Sequence, residues 1–301
     1  EAIKIKPDLF ASYNNLGNIF KENNENNKAV EYFLKAIKIN PKSFEAYNNL
    51  GIVYKLLKDY KKADECFKNA IEINSKFYMA YYNLGKMYKE IKKYEEAIKY
   101  LKMVNTKRAK AEVLESIYLS NDLKGYSNTL KDFSSADGLN LRIATIASYV
   151  AKKENIKNPY PFCVNPFKYI SVQNIKKEIK DSDKFSLDLS KVLKSYDFVW
   201  QPASKSTIGG YHTSGNLFNS KNLEIKRLEA IIKEKIKVYR TQYKKNKDFF
   251  ITKWPVKNEI EAWHVKLLKK GFQTSHIHPS GWLSGCFYLK IPSDLKKDEG
   301  A

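Results

Sequence analysis

A spacing of 34 residues governs the first third of the chain and narrows what it can fold into. Leu16-Gly17, Leu50-Gly51 and Leu84-Gly85 recur at that interval. Each pair is preceded by a tyrosine (Tyr13, Tyr47, Tyr81) and followed by an aromatic residue (Phe20, Tyr54, Tyr88). Ala29, Ala63 and Ala97 come next, and the first two units add Phe33 with Ala36 and Phe67 with Ala70. The glycine lets the two helices of a hairpin approach closely, and the alanine does the same from the second helix. Tyrosine and phenylalanine fill the groove between neighbours. Pro7 and Pro41 close their units, because proline lacks the N–H that would continue a helix. A hairpin of this kind cannot bury its own apolar face, so the units must stack.

This pattern resembles the tetratricopeptide repeat, over residues 1–106. The resemblance implies an α-solenoid that holds a protein or peptide partner. The third unit degrades after Ala97, with Leu101 and Val104 where phenylalanine and alanine stood before. From 107 to 157 the exact repeat is lost, but apolar residues at three- and four-residue spacing predict helices over 111–119, 123–133 and 139–152. These read as degenerate repeats that cap the solenoid. Pro159, Pro161 and Pro166 then mark a linker or an ordered crossing loop, and a third segment, 158–301, begins.

Within that segment, residues 196–200 alternate as a strand, and 209–213 read as a loop or turn, which makes His212 an ordinary loop histidine in preference to a ligand. Residues 223–243 form an amphipathic helix with Leu228, Ile231, Ile232, Ile236, Tyr239 and Tyr243 along one stripe. The plain reading packs it on the outside of a β domain. Residues 249–254 and 259–268 alternate as strands.

They lead into the stretch with the most chemistry in it. His276 and His278, two of only four histidines, sit one residue apart. Flanking segments read as strands, so the period of two puts both imidazoles on one face. Such a pair suits a zinc, iron or copper site, and it also suits ordinary surface or packing histidines. Residues 282–289 read as a second buried strand, with Trp263 and Trp282 as core aromatics in preference to substrate platforms.

His276-X-His278-Pro279, then Leu283-Ser284-Gly285 and Tyr288-Leu289, resembles the core of Fe(II)- and 2-oxoglutarate-dependent oxygenases. More narrowly, it resembles the oxygenase branch often fused to tetratricopeptide repeats in bacteria. In that family His-X-Asp/Glu ends one jelly-roll strand and a strand with Tyr-Leu follows. The resemblance implies a multidomain α plus β chain: the N-terminal solenoid, then an incomplete double-stranded β-helix (jelly roll) with a flanking helix. It places His276 on the first iron ligand and His278 where the family has a carboxylate. Ser284 and Tyr288 fall where the family contacts 2-oxoglutarate. With histidine at the carboxylate position, a three-histidine iron site, a displaced carboxylate, a zinc site or a non-catalytic domain all stay open. The resemblance assigns no catalytic side chain of its own. It implies Fe(II) and the cosubstrate 2-oxoglutarate, and a hydroxylase that receives its substrate from the repeats. The alternative is a non-catalytic protein–protein interaction module.

The net charge of +21 comes almost wholly from lysine, since Arg108, Arg142, Arg227 and Arg240 are the only arginines. Readers of nucleic acid lean on arginine for bidentate contacts, so this excess fits solvated lysine faces better than a nucleic-acid surface. Cys66, Cys163 and Cys286 are far apart and read as free thiols in a reducing cytoplasm. No apolar run reaches membrane-spanning length. The chain reads as clipped at both ends, opening inside a repeat and stopping at Glu299-Gly300-Ala301.

Overall fold

The computed structural model describes residues 10–202, 206–257, 259–273, 278 and 281–289. The chain divides into two compact units, 1–161 and 162–301.

In the first unit, helices follow one another as hairpins: α1 (Phe10–Glu22) with α2 (Asn26–Ile39), α3 (Phe44–Leu56) with α4 (Tyr60–Ile73), and α5 (Tyr78–Glu90) with α6 (Tyr94–Lys102). Then come α7 (Lys107–Leu119), α8 (Leu123–Ala136) and α9 (Leu141–Lys153). Side-chain caps start several of them. Ser43 Oγ accepts from Ala46 N–H at 3.2 Å, Asp59 Oδ1 from Lys62 N–H at 3.2 Å, and Thr106 Oγ1 from Ala109 N–H at 3.1 Å. The turn inside each hairpin repeats too. Asn24, Lys58 and Lys92, again 34 apart, all take the left-handed backbone with φ of 60–61°.

The repeat residues do what their spacing requires. Ala29, Phe33, Ala63, Phe67, Ala97 and Leu101 are all fully buried. A Cβ built on Gly17 would lie 2.6 Å from the Phe33 ring, one on Gly51 2.8 Å from the Phe67 ring, and one on Gly85 2.6 Å from Leu101. The glycine is therefore a packing requirement, and Leu101 keeps the contact where the pattern degrades. Beyond the repeats, Tyr160 is wholly buried, accepting from Asn140 N–H at 2.8 Å and donating to the Asp137 carbonyl at 2.5 Å. That pair ties 158–160 back onto the turn between α8 and α9.

The second unit holds α10 (Ser182–Lys194), β1 (Phe198–Trp200), β2 (Thr207–Thr213), α11 (Leu223–Tyr243), the single turn α12 (Phe249–Thr252) and β3 (Val265–Gln273). Phe185, Leu189 and Leu193 recur every four residues along α10 and pack with Leu217, Phe218, Ile225 and Leu228. A second knot of aromatics joins Tyr169, Tyr239, Phe250 and Trp254. In it Tyr239 donates to the Tyr169 carbonyl at 2.6 Å. The sheet among the described residues has three antiparallel strands in the order β1-β2-β3.

Several expectations change. Within 249–254, read as a strand, Phe249–Thr252 wind into α12 instead, with Phe250 and Ile251 buried on it and Trp254 buried just beyond its end. The strand expected over 259–268 begins only at Val265. Residues 281–289 form no strand. Trp282 is drawn instead into the aromatic knot, donating from Nε1 to the Phe250 carbonyl at 2.9 Å and lying 5.2 Å from the Phe162 ring. His212 is not in a loop but inside β2. The glycines before it explain the strand's irregular pairing: Gly209 has φ of +64°, and a Cβ on Gly210 would meet the Lys266 carbonyl at 2.8 Å. Among the described residues, no helix is long and apolar enough to cross a membrane.

Candidate functional site

The sheet brings together rings from three separated segments. His212 projects from β2, is 5% exposed, and its Nδ1 lies 2.6 Å from the Thr213 carbonyl. A carbonyl only accepts, so Nδ1 carries a proton. Trp263, just before β3, lies nearly parallel to His212 at 5.8 Å between centroids and stands 5.5 Å from the ring of His278. The backbone beside it is closed by reciprocal bonds: Thr213 N–H donates to the His264 carbonyl at 3.0 Å, and His264 N–H donates to Thr213 Oγ1 at 2.9 Å. His264 turns its ring toward Phe198 at 5.4 Å, and its buried Nδ1 has no hydrogen-bond partner among the described residues. Burial, and after it the Lys266 charge, hold this imidazole below its ordinary pKa.

His278 is half-buried, and its carbonyl accepts from Gly281 N–H at 3.0 Å. His276 lies outside the described residues. Ser284 and Cys286 are exposed, and Tyr288 is 67% exposed. The structure thus places His278 beside Trp263, whose ring also faces His212, and leaves Ser284 and Tyr288 open to solvent. A metal centre needs three or more converging donors. Among the described residues no three of His, Cys, Asp and Glu converge in that way, so they do not by themselves fit an iron. No reaction step is derived through one. The clustering of His212 was not visible in the sequence, because β2 and the segment before β3 are some fifty residues apart. Cys66 and Cys163 are packed thiols, each pushed up to about 12 by burial.

The other candidate surface is the face shared by the first helices of the repeats, α1, α3 and α5, with α7 beside them. Asn49 donates to Asn14 Oδ1 at 3.3 Å, and Asn83 donates to Asn48 Oδ1 at 2.8 Å, a ladder that steps from helix to helix. Lys89 bonds both Glu112 and Glu115, and Tyr82 donates to Glu112 at 3.2 Å. Burial opposes charge on Lys89 and Glu112 alike. Burial is the largest single influence, but the hydrogen bonds and charges of Glu112 and Glu115 together outweigh it and raise Lys89, and those of Lys89, Lys86 and Tyr82 together hold Glu112 below the usual carboxylate value. Side-chain amides, amines and a phenol on adjacent helices can bond the backbone and polar groups of an extended chain.

Stacked helical hairpins define the class of the first unit, an α-helical repeat protein. More narrowly, it carries tetratricopeptide repeats, a protein-binding scaffold: family models described as "TPR repeat" and "Tetratricopeptide repeat" match residues 17–58, 44–77 and 66–99. A model described as "Putative 2OG-Fe(II) oxygenase" matches residues 261–300. No curated protein matches the chain. Solved structures similar to it include the MamA protein, at 20% identity and a TM-score of 0.41 over 50% of this chain and 80% of that one. Another is YrrB, titled a TPR protein with an unusual peptide-binding site, at 22% identity and 0.41 over 51% and 82%. A third is MamA 41-end from Desulfovibrio magneticus RS-1, at 17% and 0.43 over 48% and 85%.

Proposed function

We propose that the chain couples a polypeptide-binding repeat scaffold to an Fe(II)- and 2-oxoglutarate-dependent oxygenase segment, with residues 107–157 capping the repeats and 158–301 belonging to a jelly roll. The observation that carries this reading is the family match over 261–300, which spans His276, His278, Ser284 and Tyr288 together. His276 and His278 are the proposed metal ligands, and Ser284 and Tyr288 the proposed contacts to 2-oxoglutarate. When bound, iron with 2-oxoglutarate supplies oxidation of an unactivated C–H bond. This chain's own contribution is to hold the imidazoles and to bring the polypeptide. The ring contact of His278 with Trp263 supports the first task by fixing one imidazole against a half-buried indole.

The test uses protein purified without oxygen. Fe(II) and then 2-oxoglutarate are added, and the visible charge-transfer band of the chelated cosubstrate is recorded alongside bound iron. The expected result is a band that His276→Ala abolishes, with His278→Ala showing whether that imidazole stands in for the carboxylate. Folded protein that retains no iron and shows no band overturns the oxygenase reading and leaves the non-catalytic interaction module.

A further inference from the structure

We infer that a cleft between α8 and α9 binds a small aromatic carboxylic acid that carries a hydroxyl at its far end. The cleft lies beyond the residues that match the repeat models, and in a different unit from His276 and His278. It originates in small side chains. Ala147 and Ala151 stand four apart on α9 and so share a face. A single methyl at each position leaves open the space that Tyr126 and Leu130 of α8 line with them. That space amounts to about 280 Å³, where close-packed interiors keep few voids larger than a water molecule.

Exposure grades from one wall to the other. Tyr126, Leu130 and Ala147 are only 1–2% exposed, whereas Lys157 at the outer edge is open to solvent. The inner wall is apolar except for one group. The Tyr126 hydroxyl is buried and has no hydrogen-bond partner among the described residues, while its ring stands edge-on to Tyr118 at 5.9 Å. Burial, and after it Tyr118, hold this phenol above its ordinary pKa, so it keeps its proton and can donate. A hydroxyl buried without a partner is destabilising, and a bound group that accepts from it removes that penalty. Ser127, on the same cleft, is already committed, since its hydroxyl donates to the Leu123 carbonyl at 2.9 Å. Lys157 has no carboxylate at ion-pair distance among the described residues.

These features select the ligand. A cavity of roughly 150 Å³ accommodates benzene, so this one holds a six-membered ring and about four or five further heavy atoms. The ring suits the wall of Leu130, Ala147 and Ala151, and it loses less conformational freedom on binding than a flexible chain of equal size. Its carboxylate meets Lys157 at the mouth, and its far oxygen accepts from the Tyr126 hydroxyl. A cationic ligand would bring like charge to Lys157, and a ligand without the far oxygen would leave the phenol unpaired.

The test titrates the whole chain with three probes, 4-hydroxyphenylacetate, phenylacetate and tyramine, and reads binding by saturation-transfer NMR of the probe. 4-Hydroxyphenylacetate is expected to bind most tightly, with each of the others about three- to tenfold weaker. Tyr126→Phe should make the two acids equal. It should also leave the ellipticity midpoint of the free protein in place or raise it, because the hydroxyl has no bond within the fold to lose. Lys157→Gln should weaken both acids and spare tyramine. Ala151→Leu should fill the cleft and abolish binding of all three, and circular dichroism confirms that each variant folds. Equal affinity of the native chain for the two acids overturns the proposal, as does a difference between them that Tyr126→Phe preserves. A lowered Tyr126→Phe midpoint in the free protein overturns it too, by showing that the fold already bonds the hydroxyl. So does binding that survives Ala151→Leu, or no saturable binding of any probe up to about 10 mM.

Discussion

Gly51→Ala separates a packing requirement from a helix preference. In an exposed helix the change would stabilise by about 1 kcal/mol. Here the new methyl would stand 2.8 Å from Cε1 and 2.9 Å from Cδ1 of Phe67, where ordinary contacts begin near 3.4 Å. Phe67 has no exposed surface, so its ring cannot swing into solvent to make room. Overpacking of this kind costs about 1–3 kcal/mol, which leaves a net loss of about 1 kcal/mol. Phe67→Val removes every ring atom in the clash and by itself should cost about 2–4 kcal/mol through the cavity it leaves. In that background Gly51→Ala should reverse sign and stabilise by about 1 kcal/mol, giving a coupling of about 2 kcal/mol. All four tryptophans lie in 162–301 while the repeats hold none, so two probes separate the units. Urea unfolding of the whole chain is followed by far-ultraviolet ellipticity and by tryptophan fluorescence. With a slope near 2 kcal/mol/M, each 1 kcal/mol moves the ellipticity midpoint by about 0.5 M. The tryptophan midpoint is expected to stay in place. An equal effect of Gly51→Ala in both backgrounds, or a stabilised single variant, would refute the reasoning.

Two more tests follow from buried polar groups. Tyr160→Phe leaves the Asn140 N–H and the Asp137 carbonyl without their hydroxyl partner and should cost about 1–3 kcal/mol in the ellipticity transition; an unchanged midpoint would show that water replaces it. His264 has a folded pKa held down by burial, so the stability it contributes is present above the ordinary value of 6.5 and is lost as pH falls through it. The tryptophan-reported midpoint should therefore fall between about pH 7.5 and 5.5 more steeply in the native chain than in His264→Phe, and equal slopes would count against a neutral buried ring.

The repeats were legible because each signature residue answers a contact close by in the chain. Gly51 meets Phe67 sixteen positions on, and the same arithmetic recurs for Gly17 with Phe33 and Gly85 with Leu101. The amphipathic helix over 223–243 was legible for a similar reason, since its stripe is read along one element. The sheet was not, because β2 pairs with a strand more than fifty residues later, and no local pattern encodes that register. Residues 249–254 show how local alternation misleads. Phe249, Phe250, Ile251 and Trp254 suit a strand on one face or a single helical turn, and the tertiary partners Tyr169, Tyr239 and Trp282 select the turn.

The same distinction bears on the two candidate surfaces. His276-X-His278 is a pattern of residue types whose meaning depends on donors brought in from elsewhere, and the segment that supplies ring contacts to His278, through Trp263 and then His212, is sequence-distant. The first-helix face needs no such import. Asn15, Asn49 and Asn83, and likewise Lys21, Lys55 and Lys89, recur at 34 residues, so each is aligned with its counterpart on the next helix by the repeat itself. Substituting one residue of that face should therefore weaken a partner's hold in proportion to that position alone, whereas displacing β2 against β3 would move His212 and Trp263 together. Graded loss along the helices and all-or-none loss in the sheet are the signatures that assign a measured defect to one surface or the other.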